Sequence, residues 1–309
     1  MKRIRTTLFS IAQALALVVA INVTYGQKPV PVTAQRPFEP AEELVYEAEF
    51  TRALLRKIDI ADFRFTAHRK LTTQQTQPSG SSDQDESSSH VLLLTGDVSS
   101  KGFFSRLFNL KFRERVESVV DPISFTVQKT KRLDEQGKRL RKSEAVFDKA
   151  TGMVVWTEHD PRDPSGPTRQ VTSEFTPPVQ DILSAIYYLR TQPLQVGKSL
   201  EVPISDSGRV YTVPIRVVEK KRTKSILGRV DAVRIDADLF GPRGMIESDG
   251  QFSIWITDDA RRIPVSARIK NEYGTFDIKL KKVVRTPAAP EYVTNKNRSK
   301  GLSPYHFPF

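Results

Sequence analysis

One apolar helix within a chain of strands constrains this fold more than any other feature. Residues 177–190 begin with paired prolines, which suit the first turn of a helix because their missing N–H groups need no partner there. The apolar positions follow helical spacing and are Val179, Ile182, Leu183, Ile186 and Leu189. The opposite side is also mostly apolar, and such a helix is buried on several sides. The segment therefore predicts a central helix that a curved sheet wraps.

The remaining segments alternate apolar and polar residues with the period of a β-strand. Residues 44–50 show this alternation clearly, and the segments between residues 200 and 284 have the lengths and spacing of an antiparallel meander. We therefore predict a mainly β fold, in which a bent antiparallel sheet or a partly closed barrel packs on one central helix at about 177–190. The length suits a single β-rich domain over residues 43–285.

The first 26 residues have the features of a secretory signal peptide. Three basic residues precede an apolar run, and Thr24-Tyr25-Gly26 places small residues at the cleavage positions. The run is shorter than the roughly 20 apolar residues that a bilayer core requires, so a retained membrane anchor is the less favoured alternative. We expect an exported protein of the bacterial periplasm, with release to the extracellular medium as the alternative.

Three further segments are too polar or too rich in proline to join a core. Residues 27–42 are rich in Pro and Gln and predict a flexible lead-in. Residues 72–89 have low complexity and predict a disordered insertion at a loop. Residues 286–309 are rich in Pro, Asn and Lys and predict a disordered tail.

The formal net charge of +12 is concentrated in three basic groups. They fall within residues 131–142, 220–224 and 279–285. Such groups attract anionic surfaces, and the alternative is that they are solvated strand faces and hairpin tips. We do not expect nucleic acid as a partner, because the chain has neither a recognition-helix signature nor an aromatic RNA-binding signature.

A sheet that closes around one helix predicts a cleft next to that helix. The aromatic residues that could line this ligand cleft, or fill a core there, are Phe103, Phe104, Phe108, Tyr187, Tyr188 and Trp255. An aromatic cleft favours an apolar or amphiphilic, lipid-like ligand. The alternative is a fully packed core, which favours a structural or protein-interaction role in the cell envelope with another envelope protein as partner.

Asp258-Asp259 is the strongest candidate for acid–base chemistry, as in a hydrolase. Adjacent strand residues point to opposite faces, so the two carboxylates converge only through a turn, and turn formation is itself the simpler role for such residues. The chain has no cysteine, no His pair with metal-ligand spacing and no glycine-rich phosphate loop. The sequence therefore predicts no catalytic residue, metal or cofactor and favours a non-enzymatic protein.

A second set of candidates is polar and structural. Asp181 lies near the start of the predicted helix, with Ser184 one turn later. A carboxylate on an apolar helix needs donors, and the planar guanidinium of Arg262, just after Asp258-Asp259, suits a carboxylate well. We predict a contact between Asp181 and Arg262. The alternative is that Asp181 only caps its own helix.

Two segments together resemble the exported bacterial family of domain of unknown function 3108. They are Asp181–Arg190, followed by Pro193-Leu194 and Gly197, and Ile254–Val265. The resemblance spans roughly Leu44 to Val284 and implies an envelope-associated, mostly β domain without an assigned reaction or catalytic residues. The pattern of a Trp-containing strand, an acidic turn, Arg and Pro is more loosely similar to periplasmic lipoprotein-carrier half-barrels, which favours an apolar ligand.

Overall fold

The computed structural model describes residues 36–38, 41–72, 89–102, 111–242 and 244–286. Within them, fourteen strands form one antiparallel sheet, and helix α1 (Ile182–Leu189) packs on it. The strands before the helix are β1 (Ala41–Arg52), β2 (Leu55–Thr72), β3 (Ser89–Ser100), β4 (Phe112–Val120), β5 (Val127–Gln136), β6 (Arg139–Asp148), β7 (Met153–His159) and β8 (Arg169–Glu174). The strands after it are β9 (Ser199–Asp206), β10 (Arg209–Ser225), β11 (Gly228–Ala237), β12 (Gly250–Thr257), β13 (Pro264–Asn271) and β14 (Gly274–Thr286). The predicted signal peptide, residues 73–88 of the predicted insertion and residues 287–309 of the predicted tail lie outside the described residues.

The strand order places the first and last strands side by side in the middle of the sheet. It runs β8-β7-β6-β5-β4-β3-β2-β1-β14-β13-β12-β11-β10-β9. The central pair runs from Ala41 opposite Thr286 to Thr51 opposite Thr275, with one register shift between Val45 and Tyr46. The edge strands β8 and β9 are therefore the two strands that flank α1 in sequence. The predicted mainly β fold, a bent antiparallel sheet on one helix, is confirmed.

The sheet is curved so strongly that its two ends touch. Gly208 lies in the β9–β10 turn at one end, and a Cβ added to it would lie 2.7 Å from the Cβ of Val171 in β8 and 2.9 Å from that of Trp156 in β7. Both of these residues belong to the opposite end. The turn therefore requires a residue without a side chain, and the sheet approaches a barrel without β8 pairing to β9.

An extended segment before the helix bridges the gap between the two halves of the sheet. The Val127 N–H at the start of β5 donates to Val179 O at 3.0 Å. On the other side, Gln180 N donates to Pro203 O at 2.9 Å, and Ser205 N in β9 donates to Gln180 O at 2.8 Å. These β-type bonds hold residues 179 and 180 extended, so α1 begins later than the predicted residue 177.

The helix begins at a capping box. Asp181 is the N-cap, and its Oδ1 accepts from Ser184 N at 2.7 Å while Ser184 Oγ accepts from Asp181 N at 2.9 Å. Each bond satisfies a backbone donor that has no partner within the helix. Two positions of α1, Ile182 and Ile186, are half-buried, and the buried positions are Leu183, Ser184, Ala185, Tyr187, Tyr188 and Leu189.

The core has two parts. The larger cluster surrounds α1 and includes side chains from β1–β3 and from β9–β14. Phe38 belongs to it, at 1% exposure and with its ring centre 5.0 Å from that of Tyr187. Ordered structure therefore extends into the predicted flexible lead-in of residues 27–42. The smaller cluster fills the concave side of β5–β8 and comprises Val127, Ala145, Phe147, Val154, Trp156, Phe175 and Val179.

Candidate functional site

A fully buried ion pair joins the end of the helix to the middle of the sheet. Arg190, the C-cap of α1, places Nη1 at 2.5 Å from Glu42 Oε1 and Nη2 at 3.0 Å from Oε2, and both side chains are 0% exposed. Arg190 Nη2 also donates to Arg261 O at 3.1 Å. Arg285 Nε in β14 donates to Glu42 Oε2 at 3.0 Å. The bidentate geometry is the strong form of this interaction.

Aromatic rings enclose this ion pair. The Arg190 Cζ lies 5.2 Å from the ring centre of Phe38 and 5.3 Å from that of Tyr187. Tyr46 OH donates to Pro264 O at 2.8 Å, whereas within the described residues the Tyr187 hydroxyl has no hydrogen-bond partner. Burial raises the pKa of both tyrosine hydroxyls against the opposing charge of Arg190. Both hydroxyls therefore stay protonated and carry no charge beside the ion pair.

The sequence contains one signal for this ion pair, which is the position of Glu42 along β1. Glu42 has the same parity along β1 as the buried Leu44 and Tyr46, so it faces the core. Arg190 directly follows an apolar helix. A charged residue at an inward position of a strand predicts an opposite charge nearby, since an unpaired buried charge is very costly. Which arginine supplies that charge depends on tertiary contacts.

The three described members of the predicted aromatic cleft do not share an open surface. Tyr187 and Tyr188 are 1% and 7% exposed and belong to the core around α1. Trp255 alternates along β12 with the buried Ile254 and Ile256, so it faces the outer side of the sheet. Phe103, Phe104 and Phe108 lie outside the described residues.

The Asp258-Asp259 pair forms a turn, in which its two carboxylates have different partners. Asp258 Oδ2 lies 2.6 Å from Lys220 Nζ. Asp259 Oδ1 accepts from Thr257 Oγ1 at 2.7 Å and from the N–H groups of Arg261 and Arg262 at 3.0 and 3.1 Å. These bonds replace the missing backbone pairing of the turn. The carboxylates are thus engaged separately and do not form an acid–base pair.

Replacing Asp259 with asparagine should make stability less dependent on pH in the acid range. Burial acts to raise the pKa of Asp259, but the hydrogen bonds from Thr257 and Arg261 outweigh it and hold that pKa below its usual value. A lowered folded-state pKa stabilises the fold above the unfolded value of about 3.9 and loses this effect as the pH falls further. Urea unfolding between about pH 2 and 6 measures the difference. If the free energy of unfolding depends on pH in the same way in Asp259→Asn and in the wild type, the lowered pKa of Asp259 is contradicted. The variant Glu174→Gln, on the exposed edge strand, is the control for the change in net charge.

The predicted contact between Asp181 and Arg262 is wrong. The second carboxylate oxygen of Asp181 accepts from Thr130 Oγ1 at 2.5 Å, in addition to the capping bonds with Ser184. Arg262 Nη1 donates to Gln192 O at 3.1 Å, beyond the other end of the helix. The helix and the hairpin do meet, but at the C-terminal end of α1, where Arg190 also contacts Arg261 O.

A second polar site, here called the polar cleft, lies inside the sheet near the start of α1. Arg132 Nε lies 2.8 Å from Glu114 Oε1, and its Nη1 lies 3.4 Å from Asp206 Oδ1. Asp134 lies 3.5 Å from Arg139. Burial raises the pKa of Glu114 and of Asp134, although the charge of Arg132 opposes it in both cases. The cavity here is about 40 Å³ and is lined by Glu114, Val116, Thr130, Arg132, Ser143, Ala145, Phe147, Trp156, Asp181, Ile182, Ser205, Asp206 and Ser207.

The volume of the polar cleft limits what it can hold. A cavity that accommodates a water needs roughly 10–15 Å³, so 40 Å³ suits a very few waters and excludes an acyl chain. The sequence did not predict this site. Glu114, Arg132 and Asp206 lie on three strands, β4, β5 and β9, and only the curvature of the sheet brings them together.

An open cavity of about 710 Å³, here called the rim cavity, lies where β2 begins and β3 ends. Lys101 Nζ at its wall contacts Glu47 Oε1 at 2.5 Å and Asp62 Oδ1 at 3.3 Å. The volume is within the range of ligand sites, but such sites have mostly apolar walls. The described lining residues are Lys57, Ile58, Asp59, Asp62, Ser100, Lys101 and Gly102.

The described ranges contain neither a cluster of metal ligands nor a membrane-spanning helix. No three His, Asp or Glu side chains there are grouped so that they could hold a metal ion. Likewise, none of the described helices combines the length and apolarity that crossing a membrane would require.

These features define a class of mainly β proteins in which one strongly curved antiparallel sheet packs on a helix through a buried ion pair. The model of the family described as "Protein of unknown function (DUF3108)" matches residues 66–281, which is more than half of the chain, and the chain belongs to this family. The resemblance in the two sequence segments is thereby confirmed.

The chain is also similar to a solved structure of low sequence identity. The crystal structure of a beta-barrel-like protein of domain of unknown function DUF1849 from Brucella abortus has a TM-score of 0.46 and 12% sequence identity to this chain. The similarity covers 80% of this chain and 98% of that chain. No curated protein matches the sequence.

Proposed function

We propose that this chain is an exported, non-enzymatic protein of the bacterial cell envelope that serves as a structural or protein-interaction module. The observation that carries the proposal is the filled concave side of the sheet. Export to the periplasm is supported by the leader-like residues 1–26. The absence of an enzymatic role is supported by Asp258 and Asp259, each of which is occupied by a separate contact.

The helix occupies the space that an apolar ligand would need. A Cβ added to Gly96 in β3 would lie 3.5 Å from Leu183 Cδ1 and 3.3 Å from the Phe65 ring, so helix and sheet are in direct contact. Ligand sites have volumes of roughly 300–1,000 Å³, whereas the cavity beside the start of α1 measures about 40 Å³. Binding within the sheet would require α1 to leave, which the buried Arg190–Glu42 pair opposes.

Removal of lipids should leave the stability of the protein unchanged. Protein recovered from the periplasmic fraction, which also tests the export, is unfolded in guanidinium, washed over a hydrophobic resin and refolded. A ligand that binds only the folded state raises the melting temperature through linkage, so a packed interior predicts the same melting temperature before and after treatment. Mass spectrometry of an organic extract of the untreated protein should find no stoichiometric lipid. A stoichiometric lipid together with a lower melting temperature after treatment would contradict the proposal.

The volume of the rim cavity favours a second candidate function, which is binding of an amphiphile at the end of the sheet. Ile58 is the large apolar side chain among its described lining residues, and Lys57 supplies a cation for a headgroup, whereas Lys101 is held by Glu47 and Asp62. This candidate predicts a lipid in the extract of the wild type that is lost in Ile58→Glu. Leu54→Glu, at a position that is 97% exposed in the same β1–β2 hairpin, is the matched control and should retain the lipid.

A further inference from the structure

The three basic groups of the sequence differ in how far neighbouring carboxylates neutralise them. In the 279–285 group, each cation of β14 pairs with a glutamate of the adjacent β1. Lys279 lies 2.7 Å from Glu49, and Arg285 lies 3.0 Å from Glu42. The remaining pairs are Lys281 with Glu47 and Lys282 with Glu43. This group is therefore part of an ion-pair ladder in the middle of the sheet.

The 131–142 group is also largely paired. Arg132 lies 2.8 Å from Glu114 at the polar cleft, and Arg141 lies 3.0 Å from Asp160 in the loop after β7. The other pairs are Arg139 with Asp134 and Lys131 with Glu144. Four of its six cations are thus held by carboxylates.

The 220–224 group has a different environment. It belongs to a segment that we call the basic arm, Lys220–Val230, which contains no acidic residue. Among the described residues, Lys220 pairs with Asp258, and no other cation of the arm has a carboxylate within ion-pair distance. All five cations are exposed, and they are Lys220, Lys221, Arg222, Lys224 and Arg229.

The basic arm extends beyond the strands that flank it. Strand β9 pairs with β10 only over Arg209–Arg216, and β12 pairs with β11 only over Ala232–Ala237. The arm is thus a two-stranded ribbon, which is marginally stable by itself. Two side chains of the arm, Leu227 and Val230, pack against the core. Its cations are therefore presented on a supported surface.

The cross-strand pairs concentrate positive charge on this ribbon. Lys224 lies directly opposite Arg229, and like charges in direct register destabilise a hairpin. Arg222 shares the face of Lys224, because alternate residues of a strand point the same way. Asp231, the residue after the arm, lies opposite Arg222 and offsets part of this charge. The hairpin turn adds Ile226, a large apolar side chain that is 49% exposed. A negatively charged surface would relieve the repulsion, and an apolar interior beneath it would accept Ile226.

We propose that the basic arm docks this protein on a membrane surface rich in anionic phospholipid headgroups. The cations of the arm are exposed and spread along the ribbon, so an extended layer of phosphates can contact several of them at once. A small anion would instead require a site with buried hydrogen-bond donors. Exposed apolar tips beside basic residues are typical of peripheral membrane contacts, and polyanions in solution offer no apolar layer for Ile226. The inference does not depend on the proposed function, because the arm lies outside the polar cleft and the rim cavity.

Vesicle binding of the full chain tests the proposal. The measured quantity is the ratio of partitioning onto vesicles of equal parts phosphatidylglycerol and phosphatidylcholine to partitioning onto pure phosphatidylcholine. The ratio cancels any charge-independent contribution from the N-terminal residues. Each cation near an anionic surface contributes about fivefold to partitioning. The triple variant Arg222→Gln/Lys224→Gln/Arg229→Gln should therefore lower this ratio roughly 100-fold. Added salt should lower the wild-type ratio as well.

A matched control removes three cations that already have carboxylate partners. Arg216→Gln/Lys279→Gln/Lys282→Gln changes the net charge equally and should keep the wild-type ratio within about threefold. The arm variant should melt no lower than the wild type, since it loses the Lys224–Arg229 repulsion. Equal losses in both triple variants, or a wild-type ratio near one, would overturn the proposal. Tight binding to a soluble anionic polysaccharide or to DNA without binding to the anionic vesicles would also overturn it.

Discussion

Replacing Arg190 with methionine is expected to destabilise the protein by about 3–5 kcal/mol, because it leaves a buried carboxylate without its main partner. Arg190 and Glu42 are both 0% exposed and bonded through two parallel contacts. Arg285 still contacts Glu42, but its side chain is 33% exposed, so it replaces only part of the lost interaction. Guanidinium unfolding monitored by tryptophan fluorescence measures the change in the free energy of unfolding.

Two further variants separate the ion pair from general effects of charge. The double variant Glu42→Leu/Arg190→Met should be more stable than either single variant, since no charge remains buried without a partner. Arg216→Met removes a partner from the Arg216–Asp238 pair, whose side chains are 52% and 53% exposed, and should cost at most about 1 kcal/mol. If Arg190→Met also costs no more than about 1 kcal/mol, the Arg190–Glu42 pair does not hold the helix on the sheet.

Replacing Leu183 with aspartate should prevent cooperative folding. Leu183 is 3% exposed and belongs to the core cluster around α1. Truncating a buried leucine already costs about 2–5 kcal/mol, and an unpaired buried carboxylate adds to this, whereas a domain has only about 5–15 kcal/mol in total. Circular dichroism during heating measures the effect.

Ile186→Asp is the matched control on the same helix. Ile186 is half-buried, so its carboxylate stays in contact with solvent and the variant should keep a cooperative transition at a lower temperature. A wild-type-like transition in Leu183→Asp, or identical behaviour of the two variants, would contradict the central role of the helix. The helical spacing alone does not distinguish Leu183 from Ile186, because both are apolar positions of the same pattern.

Local sequence patterns predicted the elements of this fold well. Alternation along β1 and the apolar spacing around Leu183 are properties of short segments, and the structure contains a strand and a helix there. The start of the helix was predicted too early because residues 179 and 180 pair with β5 and β9, which are distant in sequence. Periodicity carries no information about such pairing.

The polar contacts were less predictable for the same reason. Asp181 was correctly placed at a helix start, where a capping box is a local pattern. Its side-chain partner Thr130 and the Glu42 partner of Arg190 are 51 and 148 residues away in sequence. Sequence patterns therefore favour Arg262, which lies near a turn, and do not reveal the Arg190–Glu42 pair, whose partner lies on the first strand.

Because β1 pairs with β14, one edge of β1 stays open in the newly made chain until β14 has been synthesised. Glu49 and Lys279 form an ion pair across these two strands and are 230 residues apart. At about 5–20 residues per second, synthesis leaves the outer edge of the first strand unpaired for roughly 10–50 s. An open strand edge is a template for pairing with other chains. The first strand thus depends on β14, the last described strand, to cover its edge. A truncation that removes β14 would expose an unpaired, aggregation-prone edge in the centre of the sheet.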